Sequence, residues 1–241
     1  DSTLVLKIAH DVLGNRAAAA TAVSPTLAAS ELEAGRRIAR QIGAPHYVIA
    51  SDVMDRPEFY QNGPQRCYTC KETLYSNGAQ LARELGLRWL ANGTNLDDLK
   101  DFRPGLEAAR AFGVRSPLVE AGLGKTGIRR ISRALGLANW DQPAEACLSS
   151  RVPFGTTITV DRLNRIEQAE GILKKAGFRQ VRVRDHGAVA RIELPQEDFS
   201  RLMESPLCEQ VVSAIQQTGF RYVAMDLQGY RPGSLNPESP L

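Results

Sequence analysis

Between residues 3 and 135, short apolar runs alternate with amphipathic stretches, and this rhythm limits the fold more than any other feature of the sequence. Residues 3–13 carry Leu4, Ile8 and Val12 at helical spacing, with Gly14 placed to stop the helix. Residues 18–23 read as a buried strand, and residues 31–42 as an amphipathic helix followed by Gly43 at a capping position. Further strands are predicted over 46–50 and 88–91, with a helix over 70–85 between them. Residues 125–135 predict another helix, with arginines on its polar face and Gly136 behind it. Strands and helices in this order point to an α/β fold with a parallel sheet covered on both faces. Ligands of such sheets bind beyond the carboxyl ends of the strands. Asn92-Gly93-Thr94-Asn95 falls at such an end, although Asn-Gly by itself is equally a surface turn.

Residues 97–105 form a charged loop broken by Pro104 and Gly105; its three acids suit either a magnesium ion or plain solvation. Residues 116–120 read as extended. Beyond Trp140 the pattern changes, and Pro143, Pro153 and Gly155 bracket an irregular stretch with Cys147, Ser149, Ser150 and Arg151. A second unit follows. It has a helix over 161–176, strands over 180–184 and 189–194 joined by Asp185-His-Gly-Ala188, a helical stretch over 198–218 and a strand over 221–227. The expected organisation is an α/β domain at 1–142, a cysteine-bearing connection at 143–159 and a small α+β domain at 160–241. The last thirteen residues, rich in Pro, Gly and Ser, read as loosely held.

The chain has 241 residues, four cysteines and a formal charge of +3. Such a balance implies no obligate nucleic-acid partner. No apolar run approaches the length of about 18 residues that spans a membrane. Cysteines without a secretory signal suggest reduced thiols and a cytoplasmic setting. The opening at Asp1, without Met, reads as a chain whose true beginning is missing, so a targeting peptide stays open. Cys67 and Cys70 form a Cys-x-x-Cys pair, which folding could join to Cys147. Spacing alone leaves three outcomes: an iron–sulfur cluster with a free corner, a zinc site with an open position, or a redox dithiol with an unrelated third cysteine. Cys208, in a predicted helix with no cysteine nearby, reads as a structural thiol.

Three blocks together resemble the nickel-pincer-nucleotide sulfur insertases, the LarE family of the PP-loop ATP pyrophosphatases. The first is Asp1-Ser2-Thr3-Leu-Val-Leu, similar to the tail of a Ser-Gly-Gly-x-Asp-Ser loop whose start is absent. The second is Ala91-Asn-Gly-Thr-Asn-Leu-Asp-Asp98 with Arg103-Pro-Gly-Leu106. The third is Cys147-Leu-Ser-Ser-Arg-Val-Pro-Phe-Gly-Thr-Thr157, continuing through Val181-Arg-Val-Arg-Asp-His186 and Ala190-Arg-Ile-Glu-Leu-Pro195. Each block is modest alone. In order they cover nearly the whole chain.

The resemblance implies a Rossmann-like PP-loop domain that cleaves ATP to AMP and pyrophosphate and adenylates a substrate carboxylate. Asp1 would help hold Mg²⁺, Ser2 would donate to a phosphate, and Gly93 and Thr94 would flank the nucleotide. The implied substrate is pyridinium-3,5-biscarboxylic acid mononucleotide, converted to a thiocarboxylate at each carboxyl for a nickel-pincer cofactor of the lactate racemase type. Cys147 matches the family's essential cysteine. In members without the Cys-x-x-Cys pair that cysteine gives up its own sulfur; with Cys67 and Cys70 present, the chain resembles the subtype holding a [4Fe–4S] cluster on three cysteines. Arg66 and Lys71 flank the pair. The thiolate count still leaves zinc open.

Arg182 and Arg184 alternate with Val181 and Val183, so both project from one strand face. By residues alone this is a solvated face or an anion clamp. The resemblance makes it a clamp on the substrate phosphate, helped by Ser150 and Arg151, with Glu170 and Glu193 shaping the site. Lys125, at a helix start, is either solvated or directed at the ATP phosphates. A sulfide donor and self-association into a homo-oligomer are also implied. Two other readings stand beside this one: a tRNA thiolase of the same superfamily, and a non-catalytic metal- or cluster-binding protein.

Overall fold

The computed structural model describes residues 1–100, 104–143 and 145–231; Asp101, Arg103 and the tail from 232 onward lie outside them. The chain falls into two compact units. The first comprises Asp1–Phe59 and Gln65–Ala144, the second Tyr60–Pro64 and Glu145–Leu241. Residues 145–159, separated in the sequence as a connection, belong with the second unit, as does the short excursion at 60–64.

In chain order the first part of the protein forms α1 (Ser2–Leu13), β1 (Ala19–Val23), α2 (Ala29–Ile42), β2 (His46–Ala50) and a single turn, α3 (Pro57–Tyr60). α4 (Arg66–Glu84), α5 (Pro104–Ala111), a second single turn, α6 (Pro117–Glu120), and α7 (Lys125–Ala134) follow. β1 and β2 pair in parallel from Ala19 opposite His46 to Val23 opposite Ala50. α2 supplies the crossover that parallel pairing requires, and Gly43 closes it at φ +83°, a conformation glycine adopts without a Cβ penalty. This is an α/β domain with a parallel sheet. The strand expected over 88–91 is reduced to one parallel bridge: Ala91 faces Arg115, with hydrogen bonds Asn92 N to Arg115 O and Arg115 N to Leu90 O.

Leu4, Leu118, Ile128 and Leu137 are buried together, with Val5, Ile42, Leu123 and Ile131 packed against them. α7 thus turns its isoleucines inward and leaves Arg129, Arg130 and Arg133 outward. Two local expectations are corrected. Residues 117–120 are helical rather than extended, because Pro117 has the backbone angle of a first helical residue and keeps only Ser116, at φ −120° and ψ 76°, out of the helical region. The helix expected from residue 70 begins at Arg66, with no side-chain cap at Gln65 to announce it. Cys67 and Cys70 therefore both lie on α4.

The second unit contains α8 (Val160–Lys175), β3 (Arg182–His186), β4 (Val189–Glu193), α9 (Phe199–Met203), α10 (Leu207–Gln217) and β5 (Tyr222–Met225). Thr159 caps α8 by accepting from Arg162 N, and Lys174 and Lys175 lie at its negative end. β3 and β4 form an antiparallel hairpin from Arg182 opposite Glu193 to His186 opposite Val189, and β5 adds in parallel to β4. This is a small mixed sheet. The helical stretch expected over 198–218 is broken: Glu204 turns extended and Pro206 has no N–H to continue it.

The core of this unit follows from strand alternation. Val181, Val183, Ala190, Ile192 and Leu194 meet Ala169, Leu173, Phe178, Val211, Ile215 and Phe220. Asp185 ends the inward row of β3 and is fully buried. It accepts from Arg162 Nη1 at 2.8 Å, from Arg165 Nε at 2.7 Å and from Gly187 N at 2.9 Å, which ties the hairpin turn to α8. Asp185→Ala should lower the stability of this unit by about 2–3 kcal/mol in urea unfolding; the two arginines are partly exposed and recover water, which holds the loss at the low end for a broken buried pair.

Candidate functional site

The amino end of α1 collects residues from three distant stretches of the first unit. An ideal Cβ on Gly93 would lie 2.4 Å from Ser2 N and 2.9 Å from Ser2 Cα, so the 91–95 turn meets the start of α1 backbone to backbone. Asp1 spans the gap beside it: Oδ2 accepts from Asn95 Nδ2 at 3.0 Å and Oδ1 from Lys125 Nζ at 2.7 Å. Asn95 is itself buried, and its backbone N–H donates to Asp98 Oδ2 at 3.1 Å. Asp97 Oδ2 accepts from Lys125 N at 2.8 Å, which caps α7. Asn92 shapes the turn, accepting from Thr94 N and from Ser116 Oγ and donating to Tyr75. The helix end brings partial positive charge, and Lys125 adds a full one. Burial lowers the Lys125 ammonium from its ordinary pKa, Arg129 adds to that and Asp98 opposes it.

Asp1, Ser2, Gly93 and Thr94 are thus neighbours. Sequence reasoning passed over Asn95 and gave Lys125 no fixed role. The partner of Asn95 could not be read from the sequence, because Asp1 lies 94 positions away.

The second assembly is the Cys147 turn. Cys147 precedes a 3₁₀ turn, Leu148–Arg151, and its exposed Sγ lies 2.9 Å from Ser149 Oγ. Beneath it, Arg151 is 1% exposed. Its guanidinium forms a two-pronged pair with Glu170, Nε to Oε1 at 2.8 Å and Nη2 to Oε2 at 2.9 Å. Nη1 donates to the carbonyls of Ala146 and Cys147 and to Ser150 Oγ. Glu170 also accepts from Val183 N at 3.0 Å, which joins the turn to β3. Arg184 donates from Nη1 to Ser150 O at 2.9 Å and from Nη2 to Glu193 at 2.7 Å. Arg182 meets Glu145 at 3.1 Å, and Tyr230 lies against its guanidinium. Glu145 also faces Lys174 at 3.3 Å, and Glu193 faces Arg191 at 2.9 Å.

Both arginines of β3 are buried on the face opposite the valines. The solvated-face alternative is therefore excluded for Arg182 and Arg184, and Glu193 is fully buried beside them. Glu145, Lys174 and Arg191 were missed, since nothing in their local sequence marks them as partners of this strand.

On α4, Cys67 and Cys70 are spaced three apart and so share a face. Cys67 is exposed, Cys70 half-buried, and Arg66 Nη2 lies 3.8 Å from Cys67 Sγ. None of the four cysteines is in a disulfide. Among the described residues no three His, Cys, Asp or Glu side chains stand together as a metal-binding group, and no helix is long and apolar enough to cross a membrane.

Over 237 residues, 98% of this chain and 85% of the relative, the sequence is 38% identical to the pyridinium-3,5-bisthiocarboxylic acid mononucleotide synthase of Lactiplantibacillus plantarum. The chain belongs to the LarE family. The uncharacterized protein slr1717 of Synechocystis is 46% identical over 236 residues, covering 98% of this chain and 88% of that protein. The uncharacterized protein MJ0830 of Methanocaldococcus jannaschii is 30% identical over 190 residues, 79% of this chain and 73% of its own. No protein-family model matches the chain. LarE membership supports a PP-loop enzyme that uses ATP and has a general role in sulfur transfer.

Gly93→Ala should drive a methyl group into the backbone of Ser2, where no side chain can swing aside. The expected result is a loss of about 1–3 kcal/mol in stability and weaker ATP binding, read by denaturation and by calorimetric titration of Mg–ATP.

Proposed function

We propose that this protein is an ATP-dependent sulfurtransferase that adenylates the carboxylates of pyridinium-3,5-biscarboxylic acid mononucleotide and converts them to thiocarboxylates. The observation that carries the proposal is its near-full-length identity to the synthase of that bisthiocarboxylic acid mononucleotide. Two arrangements support it: the built amino end of α1, and an exposed Cys147 on a turn tied to a strand of buried arginines.

ATP phosphates would lie against the start of α1, with Ser2, Gly93 and Thr94 around the nucleotide. Lys125, displaced from Asp1, would face the phosphates and free the Asp1 carboxylate for Mg²⁺. A substrate carboxylate oxygen attacks the α-phosphorus, pyrophosphate leaves, and the acyl carbon becomes a good electrophile because AMP is a good leaving group. A sulfur nucleophile at the Cys147 turn then attacks that carbon and expels AMP. Arg182 and Arg184 would take the substrate phosphate in exchange for Glu145 and Glu193, with Ser150 beside them. The buried Arg151–Glu170 pair serves the substrate by holding the turn.

The donor set suits iron. Cys67 and Cys70 share one helix face, Cys147 is exposed, and none of the three is in a disulfide. Together they would hold a [4Fe–4S] cluster, which when bound would supply an iron position for the sulfur to be transferred. This would make the enzyme rechargeable rather than sacrificial, with inorganic sulfide or a sulfide-generating protein as donor. A homo-oligomer is part of the same proposal, on family grounds.

The test is incubation of anaerobically reconstituted protein with the mononucleotide, Mg–ATP and sulfide, followed by mass spectrometry of the product. Each carboxyl should exchange an oxygen for sulfur, with AMP and pyrophosphate released; an unaltered mononucleotide would overturn the proposal. Cys147→Ala should abolish thiolation and lower bound iron and acid-labile sulfide while leaving pyrophosphate release measurable. Stoichiometric zinc in place of iron after reconstitution would refute the cluster.

A further inference from the structure

Within the second unit, the clamp proposed for β3 raises a problem of charge. Glu193 is fully buried and accepts from Arg184 Nη2 at 2.7 Å. A phosphate that took Arg184 would strand this carboxylate in the interior, and an uncompensated buried charge is strongly destabilising.

The pairing of the hairpin supplies a second cation. Arg184 on β3 lies directly opposite Arg191 on β4, so both side chains stand on one face of the sheet, and Glu193, two positions beyond Arg191, shares it. Like charges directly opposite one another repel. Glu193 joins them: Oε2 accepts from Arg184 Nη2, and Oε1 accepts from Arg191 Nη2 at 2.9 Å. One carboxylate thus lies between two guanidiniums.

Arg191 can give more than this one bond. Its Nε is enclosed, makes no hydrogen bond among the described residues, and stands 3.7 Å from Asp226 Oδ2. Arg231 approaches the same Asp226 oxygen at 3.6 Å, so that charge is met from a second side. Glu145 repeats the pattern with less at stake. It meets Arg182 at 3.1 Å and Lys174 at 3.3 Å, but 17% of its side-chain surface stays in water. Glu193 keeps none there.

We infer that Arg191 is a positioning residue that holds the Glu193 carboxylate when a substrate phosphate takes its place on Arg184. The inference rests on the reading of Arg182 and Arg184 as the phosphate clamp. Arg184 gives up a carboxylate and gains a phosphate. Glu193 gives up one guanidinium and keeps the other, whose Nε and Nη2 edge suits a carboxylate on two bonds.

The experiment is calorimetric titration of the full chain with pyridinium-3,5-biscarboxylic acid mononucleotide, without ATP, across a double-mutant cycle. Arg191→Gln leaves Glu193 its bond to Arg184 in the free protein and penalises only the bound state. Affinity should fall by about tenfold or more. In a Glu193→Gln background no charge can be stranded, and adding Arg191→Gln should change affinity by no more than about twofold. A residue that touched the phosphate itself, or only supported the sheet, would cost the same in both backgrounds; equal losses would overturn the inference. Loss of fold in either single variant, read by circular dichroism, would also overturn it, because the bonds would then be holding the sheet together before any ligand arrives. Arg184→Gln separates the two claims. A parent that binds the mononucleotide no better than Arg184→Gln removes the clamp and the inference together. Weaker binding by Arg184→Gln, with equal Arg191→Gln losses in the two backgrounds, removes only the role of Arg191.

Discussion

Arg151 carries a full charge into an interior where it is 1% exposed, and the arrangement around Cys147 depends on how that charge is satisfied. A lone buried guanidinium would cost several kcal/mol of effective desolvation. Burial therefore acts to lower its pKa; the hydrogen bonds and charge of Glu170, with smaller help from Glu145, outweigh burial and raise it. A planar fork is needed for this. Nε and Nη2 face Glu170 while Nη1 still reaches two carbonyls and a hydroxyl of the turn, a geometry that a lysine ammonium cannot reproduce. Glu170 in turn accepts from the backbone of Val183. One ion pair thus fixes the turn, α8 and β3 to one another.

The same logic extends along β3. Alternation sends Val181 and Val183 into the core and Arg182 and Arg184 the other way, where the protein supplies an acid for each. These carboxylates come from residues 145 and 193, so a local reading could see the arginine pair but not what neutralises it. That is why a solvated face and an anion clamp were indistinguishable from residues alone. Burial removes the first. A buried arginine already paired with a carboxylate is also a reasonable host for a phosphate, because the ligand replaces one anion by another and leaves no charge unsatisfied.

What was legible in the sequence was periodic. The helices at 2–13, 29–42 and 160–175 and the strands at 19–23 and 46–50 follow directly from apolar spacing and terminal glycines. Elements without such marks were misread. α4 starts at Arg66 with no capping side chain, and Pro117 begins a helical turn in a stretch whose composition resembles a strand. At the amino end of α1, Asp1, Ser2, Gly93 and Thr94 were picked out as candidates through the motif they resemble. Asn95 emerged only from the fold, and Lys125, named without a fixed role, found its partner there, because each meets Asp1 across much of the first unit's sequence.

Lys125 and Asp1 also bear on how the amino end of α1 could be kept ready for the proposed nucleotide. Without ligand, the Lys125 ammonium, with a pKa lowered by burial, sits on a carboxylate at 2.7 Å. Each group is then satisfied by the other, and neither needs to be buried alone. In the proposed role, a triphosphate with its metal would offer both a better partner: anionic oxygens for the lysine and a cation for the aspartate. The pair is half-exposed, so its own contribution to stability is small and its separation inexpensive. Arg151 and Glu170, joined by two parallel bonds and each tied further to backbone groups of the turn and of β3, would resist that exchange. The two ion pairs therefore divide the labour by burial: the exposed one can open for a ligand, and the enclosed one keeps the turn that carries Cys147 in place.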